Sequence, residues 1–356
     1  MNFGNDNKTA LQAKFDAQKI AFGPIMFQAA SALQNLGILE CIKKQRNKGI
    51  KISEIASDLK LSVYGVKVLL EAGLSLELVR VENNNYFLTK TGFFILSDRL
   101  TQVNMNFVND VNYKGFFSLE DSIHTGKPEG LKEFGNWETV YEGLSQLPEN
   151  VQKSWFDFDH YYSDNAFPEI LPEIFRENPK KLLDVGGNTG KWAIQCAKFN
   201  DEIEITILDH PGQLEKANKN IAGNGFTDRI KGIPINLLDH SIPFPTGFDI
   251  VWMSQFLDCF SQEDILELLI RAKNAINGNG SIYILETYWD KQKYEASTYS
   301  LHATSLYFTC LANGCSQMYH SDDMLALIDR AGLYVFKELH DIGVSHSLYE
   351  CKQKLL

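Results

Sequence analysis

No run of about 18 uninterrupted apolar residues occurs anywhere in the 356 residues, so no membrane-spanning helix is expected. The opening MNFGNDNKTALQAKF has no basic patch leading into an apolar stretch, which argues against a secretory signal. Positive charge is in deficit: 34 Lys and Arg stand against 45 Asp and Glu, a formal net charge of −11. A surface that neutralises phosphates or anionic lipid needs clustered basic side chains, so neither nucleic acid nor membrane is an expected partner. Cysteines are few and scattered (Cys41, Cys196, Cys259, Cys310, Cys315 and Cys351), with no close CxxC pair to clamp zinc or run a redox cycle. They suit a reducing cytoplasm, and no metal is expected. Internal repeats and low-complexity tracts are also missing.

What is present divides by texture, in a chain too long for one ordinary core. Residues 1–100 read as helices around one compact motif. ISEIASDLKLSVYGVKVLLEAGL places apolar residues at Ile52, Ile55, Leu59, Leu61, Val66, Leu69 and Leu70, a short helix, a turn and a longer helix. LELVRVENNNYFLTKTG follows, with two alternating runs around Asn83-Asn84-Asn85, residues that tolerate the left-handed backbone of a hairpin turn. The sum is a winged helix-turn-helix. Reading DNA would require several basic or amide side chains on the second helix. Between Ser62 and Gly73 there is a single Lys67, answered by Glu71. A packing and dimerisation module is the better reading, with a DNA-binding regulator as its rival.

Residues 101–178 look helical and aromatic-rich, with Phe116, Phe117, Trp137, Tyr141, Trp155 and Phe156 among others. Singly these are core residues; together they suit an apolar pocket for a flat substrate. From 179 to 356 the texture becomes strand, turn, helix, strand: KLLDV, GGNTG, KWAIQCAKF, IEITILD, FDIVWM, a helix near Ser261 to Ile276, a Gly278-Asn279-Gly280 stop, and SIYILE. Regular βα repetition implies an α/β fold, a Rossmann-like, mostly parallel sheet with helices on both faces.

A glycine-rich turn between the first strand and its helix lets a ligand approach the backbone, while the helix start supplies unpaired amides. Gly186, Gly187 and Gly190 occupy that turn, without the full GxGxxG spacing of dinucleotide-binding folds. Asp209, 23 residues after Gly186 at the end of the second strand, is placed to accept from both hydroxyls of a ribose. Use of Asp209 as N-cap of the helix begun by Pro211 is compatible with that role.

With these residues in view, LLDVGGNTG, ILDHPG, FDIVWMSQFLDCFSQED and NGNGSIYILE, behind a winged-helix domain, resemble the class I methyltransferases of the plant-type and hydroxyindole O-methyltransferase family. The resemblance runs from about Phe22 to Tyr349. It implies a homodimer joined through the N-terminal helices, S-adenosyl-L-methionine as methyl donor with S-adenosyl-L-homocysteine as product, and a hydroxyl of a small aromatic substrate as acceptor. It places Gly186 under the methionine part of the cofactor, with Asp184, Gly187 and Gly190 in the same loop, and makes Asp209 the ribose ligand beside His210. The family's acidic adenine contact falls on Asn236, or on Asp239 nearby, and its apolar adenine contact on Leu237. Ser254, next to Gln255, stands where the family has a cofactor-contacting lysine.

The catalytic position departs from the family. Its His-Asp-Trp run is here Asp258-Cys259-Phe260; of the two acids that orient the family's histidine, one matches Glu286 and the other falls near Met318. Three readings stay open. Asp258, its pKa raised by burial beside Glu286, deprotonates or orients the hydroxyl; His302 or His320 arrives from another segment; or close in-line placement of donor and acceptor suffices. SQFLDCFS also resembles methyltransferases of bacterial aryl-polyene pathways, where a hydroxyphenyl group is the target and ring carbon competes with oxygen. A relative that binds cofactor without chemistry is a further alternative.

Overall fold

The computed structural model describes Gly4 and residues 6–354. The chain forms two compact units, meeting in sequence at Asp110 and Val111.

The first unit begins with helices Ala10–Ala21, Gly23–Asn35 and Ile38–Lys44. Ile52–Leu59 and Val63–Ser75 make the helix-turn-helix, and Ser62 caps the second, its Oγ accepting from the Gly65 amide at 3.0 Å. The wing is β1 (Val79–Glu82) against β2 (Asn85–Leu88), antiparallel. Asn83 and Asn84 take positive φ at its turn as expected, whereas Asn85 already pairs with Glu82. Helices Lys90–Ser97 and Arg99–Asn106 complete the unit. Leu33, Ile38, Leu39, Ile42, Ile55, Val66 and Leu70 form its core. The first helix buries nothing: Leu11, Phe15 and Ile20 are exposed, as are Phe22 and Ile25 after it. On the second motif helix Lys67 is paired with Glu71 at 3.8 Å, which removes the one cation a DNA reading would use.

The second unit, after a series of short helices and turns, is built on seven strands: β3 (Lys181–Val185), β4 (Glu204–Asp209), β5 (Ile230–Pro234), β6 (Phe248–Ser254), β7 (Ile276–Glu286), β8 (Leu333–Ile342) and β9 (His346–Gln353). Their order is β5-β4-β3-β6-β7-β9-β8. The first five are parallel; β9 runs antiparallel to β7, and β8 to β9. Helices Phe167–Ile174, Lys191–Phe199 and Pro211–Asn224 cover one face, Gln262–Ala275 and Ser321–Arg330 the other, each with its own apolar core. Trp192 stacks on Trp252 at 4.2 Å in the first of these layers. Gly278-Asn279-Gly280 is not a stop before the strand. It lies inside β7, where pairing jumps from Phe248–Ile276 to Ile250–Ser281, so the glycines absorb an irregularity rather than end an element.

From β3 the chain winds outward to β4 and β5, then returns to β6 and winds the other way. A crevice opens at such a reversal, outside the carboxyl ends of the two strands between which the order turns. Here those are the ends of β3 and β6.

Candidate active site

β3 delivers the chain into Gly186-Gly187-Asn188-Thr189-Gly190. Gly186 has φ 76° and Gly190 φ 75°, conformations that side chains disfavour. A Cβ on Gly186 would lie 2.3 Å from the Phe256 ring, and one on Gly187 2.6 Å from Asp184 Oδ2. The loop is pinned at both edges: the Gly186 amide donates to Leu208 O at 2.8 Å, and the Asn188 amide to Asp209 Oδ2 at 2.7 Å.

Asp209 closes β4 nearly buried, with Oδ1 accepting from the His210 amide at 2.7 Å. The N-cap position of helix Pro211–Asn224 belongs to His210, so the capping use of Asp209 is corrected: its carboxylate braces the loop across from it. Burial pushes its pKa up, opposed by the His210 and Asn188 amides. Each oxygen keeps a lone pair able to accept from a hydroxyl. Asp184 lies beneath the loop, 2% exposed, its Oδ2 without a partner. Burial, then the charge of Asp209, pushes its pKa up to about 8, so it is neutral at pH 7.

The next strand ends supply the opposite wall. Asn236 is exposed, its Oδ1 accepting from the Leu238 amide at 3.1 Å. Leu237 is 4% exposed, a member of the core, and its carbonyl accepts from Arg271; Leu238 is the neighbouring apolar side chain left open, at 49%. Asp239 is engaged by the Ser241 hydroxyl at 2.6 Å and amide at 3.1 Å. At the end of β6 the Ser254 Oγ is buried without a partner. Gln255 adopts φ 46°, held by its amide on Leu285 O at 2.9 Å and by its Nε2 at 2.5 Å from His346 Nε2. His346 is fully buried, and burial pushes its pKa down to about 4, so it is neutral. It escaped the sequence reading because the hairpin of β8 and β9 did; the alternating YVFKELHDI and HSLYECKQ, parted by Gly343-Val344-Ser345, were the available signal.

Glu286, the last residue of β7, is 2% exposed. Its Oε1 accepts from the amides of Phe256 at 3.0 Å and Leu257 at 2.8 Å, tying down the single turn Leu257–Cys259 that carries Asp258. Burial, then Asp258, drives the Glu286 pKa well above its usual range, against those two amides. Its Oε2 is buried without a partner. Asp258 is also buried, and burial pushes its pKa up to about 6, opposed by the Cys259 thiol, which donates at 3.5 Å. Burial thus pushes both adjacent carboxyls up, Glu286 further than Asp258, because Glu286 also faces the charge of Asp258.

Met318 fills the second acid's position as a thioether accepting from Thr287 Oγ1 at 3.3 Å. His302 and His320 both stand edge-on to Trp289, with ring centres at 4.9 and 4.8 Å. His320 is the N-cap of helix Ser321–Arg330, its Nδ1 accepting from the Asp322 amide at 3.0 Å, a structural task.

A turn of glycines and amides braced by the Asp209 carboxylate, beside unpaired buried oxygens and a buried acid pair, sits at the carboxyl ends of a Rossmann-like sheet. Residues 14–86 match the Dimerisation2-like domain and 167–334 the O-methyltransferase domain. The chain is accordingly an S-adenosylmethionine-dependent O-methyltransferase of this two-domain class. It is 26% identical over 272 residues, covering 75% of this chain and 73% of the other, to the L-tyrosine C(3)-methyltransferase of Streptomyces lavendulae. Among solved folds it resembles the S-adenosylmethionine-dependent methyltransferase SibL (TM-score 0.73, 22% identity, 95% of this chain and 98% of that one). It also resembles the O-methyltransferase NcsB1 from neocarzinostatin biosynthesis, in complex with S-adenosylmethionine and 2-hydroxy-5-methyl naphthoic acid (TM-score 0.68, 19% identity, 98% and 100%).

Proposed function

We propose that this enzyme methylates a phenolic hydroxyl of a small aromatic substrate, with Asp258 taking the hydroxyl proton and Glu286 positioning Asp258. The observation that carries this is the buried pair itself: Glu286 grips the amides of Phe256 and Leu257, and Asp258 sits one residue on with a pKa near 6. A carboxylate that ionises there is a stronger base than an ordinary aspartate and is still charged at pH 7. Asp209 would take the ribose hydroxyls, the loop from Gly186 to Gly190 the methionine part, and the surface near Asn236 and Leu238 the adenine, in place of Leu237, which the core already occupies. Bound S-adenosylmethionine supplies an electrophilic methyl group. The protein's part is to hold the acceptor close and keep water out. Helical segment 101–178 is inferred to supply much of the acceptor pocket.

The exposed Leu11, Phe15 and Ile20 on a helix that buries nothing in its own chain support a homodimer working through the first unit. Six free cysteines support a cytoplasmic setting.

The test is transfer of labelled methyl from S-adenosylmethionine to a panel of simple phenols. Loss in Asp258→Asn with S-adenosylhomocysteine binding intact supports the reading; an unchanged rate in that variant removes it. One observation favours a second reading, methylation at ring carbon: the similar protein from Streptomyces lavendulae is a C(3)-methyltransferase of a phenolic amino acid. A carboxylate that draws the phenol proton also raises electron density at the ortho carbon. The position of the labelled methyl in the product decides between them.

A further inference from the structure

Tyr141 lies on the single helical turn Val140–Gly143. That turn is seated by Trp137, whose ring leaves no room for a Cβ on Gly135 (2.6 Å) or Gly143 (2.3 Å), so two glycines and an indole fix where Tyr141 points. Its hydroxyl oxygen is buried, and among the described residues the only group set against it is the Cys259 thiol, a weak hydrogen-bond partner for a phenol. Tyr141 lies within electrostatic reach of Asp258, Tyr307 and Cys259. Tyr307, at the end of helix Glu295–Tyr307, accepts from Trp155 Nε1 at 2.7 Å, and it too senses Asp258 and Cys259. Three segments far apart in sequence therefore bring two phenol hydroxyls and one carboxyl to one buried place. Buried donors in folded proteins nearly always find a strong partner, so a phenol met only by a thiol beside a base marks where a ligand's acceptor belongs.

We propose that Tyr141 is the hydrogen-bond donor that orients the acceptor hydroxyl opposite Asp258. This rests on Asp258 acting as base. The acceptor oxygen accepts from Tyr141, gives its proton to Asp258, and uses its remaining lone pair to form the O–CH3 bond as the CH3–S bond breaks and its electron pair stays on sulfur. An acceptor group so held must offer both a proton and lone pairs, which selects a free hydroxyl over an ether or a ketone.

The experiment compares phenol with toluene, two probes of one shape, binding to the complete enzyme saturated with S-adenosylhomocysteine, by competition in ligand-observed NMR. Wild type is expected to prefer phenol, and Tyr141→Phe to shrink that preference about 10-fold while S-adenosylhomocysteine affinity stays within twofold. A merely structural Tyr141 would weaken both probes together. An unchanged preference in Tyr141→Phe, with Asp258→Asn reducing it, overturns the role of Tyr141 alone. An unchanged preference in both variants, or no binding of either probe, overturns the reading of the acid pair with it.

Discussion

The two ends of the crevice solve different problems by different means. At the glycine end, between β3 and β4, the working parts are backbone amides, positive-φ glycines and one carboxylate brace, all within the stretch from Asp184 to His210. At the acid end, the proposed working parts are side chains from Tyr141, Asp258, Glu286 and Tyr307; the last three are buried, as is the hydroxyl oxygen of Tyr141. Backbone geometry leaves little chemical freedom: any side chain at Gly186 collides. Side chains leave much: an aspartate can replace a histidine provided burial retunes its pKa. On the proposed reading the glycine end is the fixed socket, and the acid end sets specificity and chemistry.

Substitutions should separate the ends, beginning with the largest effect. Asp258→Asn should lower kcat for a phenolic acceptor by about 10²–10⁴-fold, the usual range for a positioned base, while the Kd for S-adenosylhomocysteine holds. Equal losses in both would erase the distinction drawn here. Gly186→Ala should do the reverse, weakening S-adenosylhomocysteine by about 100-fold or more in calorimetry, since its Cβ meets the Phe256 ring at 2.3 Å at a φ that alanine disfavours. Because Phe256 neighbours the acid turn, any fall in kcat at saturating cofactor measures how far the ends are coupled. Asp209→Ala should cost about 10-fold in the same affinity, by loss of charge-assisted hydrogen bonds and of the brace on Asn188.

Two pH effects are finer. With Asp258 as base, kcat/KM should fall as pH drops through about 6, where it protonates, and level off above. A limb centred near 4 instead would put the base in an exposed group. Asp184, neutral in the fold up to about pH 8, contributes stability that is full below the ordinary aspartate pKa near 4 and is lost as pH rises through 8. Asp184→Asn should therefore flatten the melting temperature across that window, with the variant gaining on wild type by a few degrees at pH 8 to 9.

Local order made the glycine end legible. The apolar run KLLDV, the glycines after it and the acid 23 residues on are strand, turn and ligand in a single βα unit, whose geometry is short-range and repeats across unrelated chains. The helix-turn-helix and its asparagine turn were legible for the same reason. The acid end was half legible: Asp258, on the turn just past β6, and Glu286, last in β7, follow strands whose patterns were plain, but Glu286 gripping the Phe256 and Leu257 amides was not in any spacing. Leu237 and Leu238 show the limit at single-residue scale, since which of two adjacent leucines faces the core depends on how Arg271 from a distant helix takes the Leu237 carbonyl.

The amino-acid sequence by itself determined the α/β architecture, the two-part chain, and the glycine turn after β3 with an aspartate closing β4, because periodicity, glycine placement and strand ends are decided within about 30 residues. Only the tertiary structure decided the antiparallel β9 that buries His346 against Gln255, the raised pKa values of Asp258 and Glu286, and the convergence of Tyr141 and Tyr307 on them. Those depend on burial and on contacts between segments separated in sequence, and a shifted pKa or a buried hydroxyl exists only once such segments have excluded the water around it.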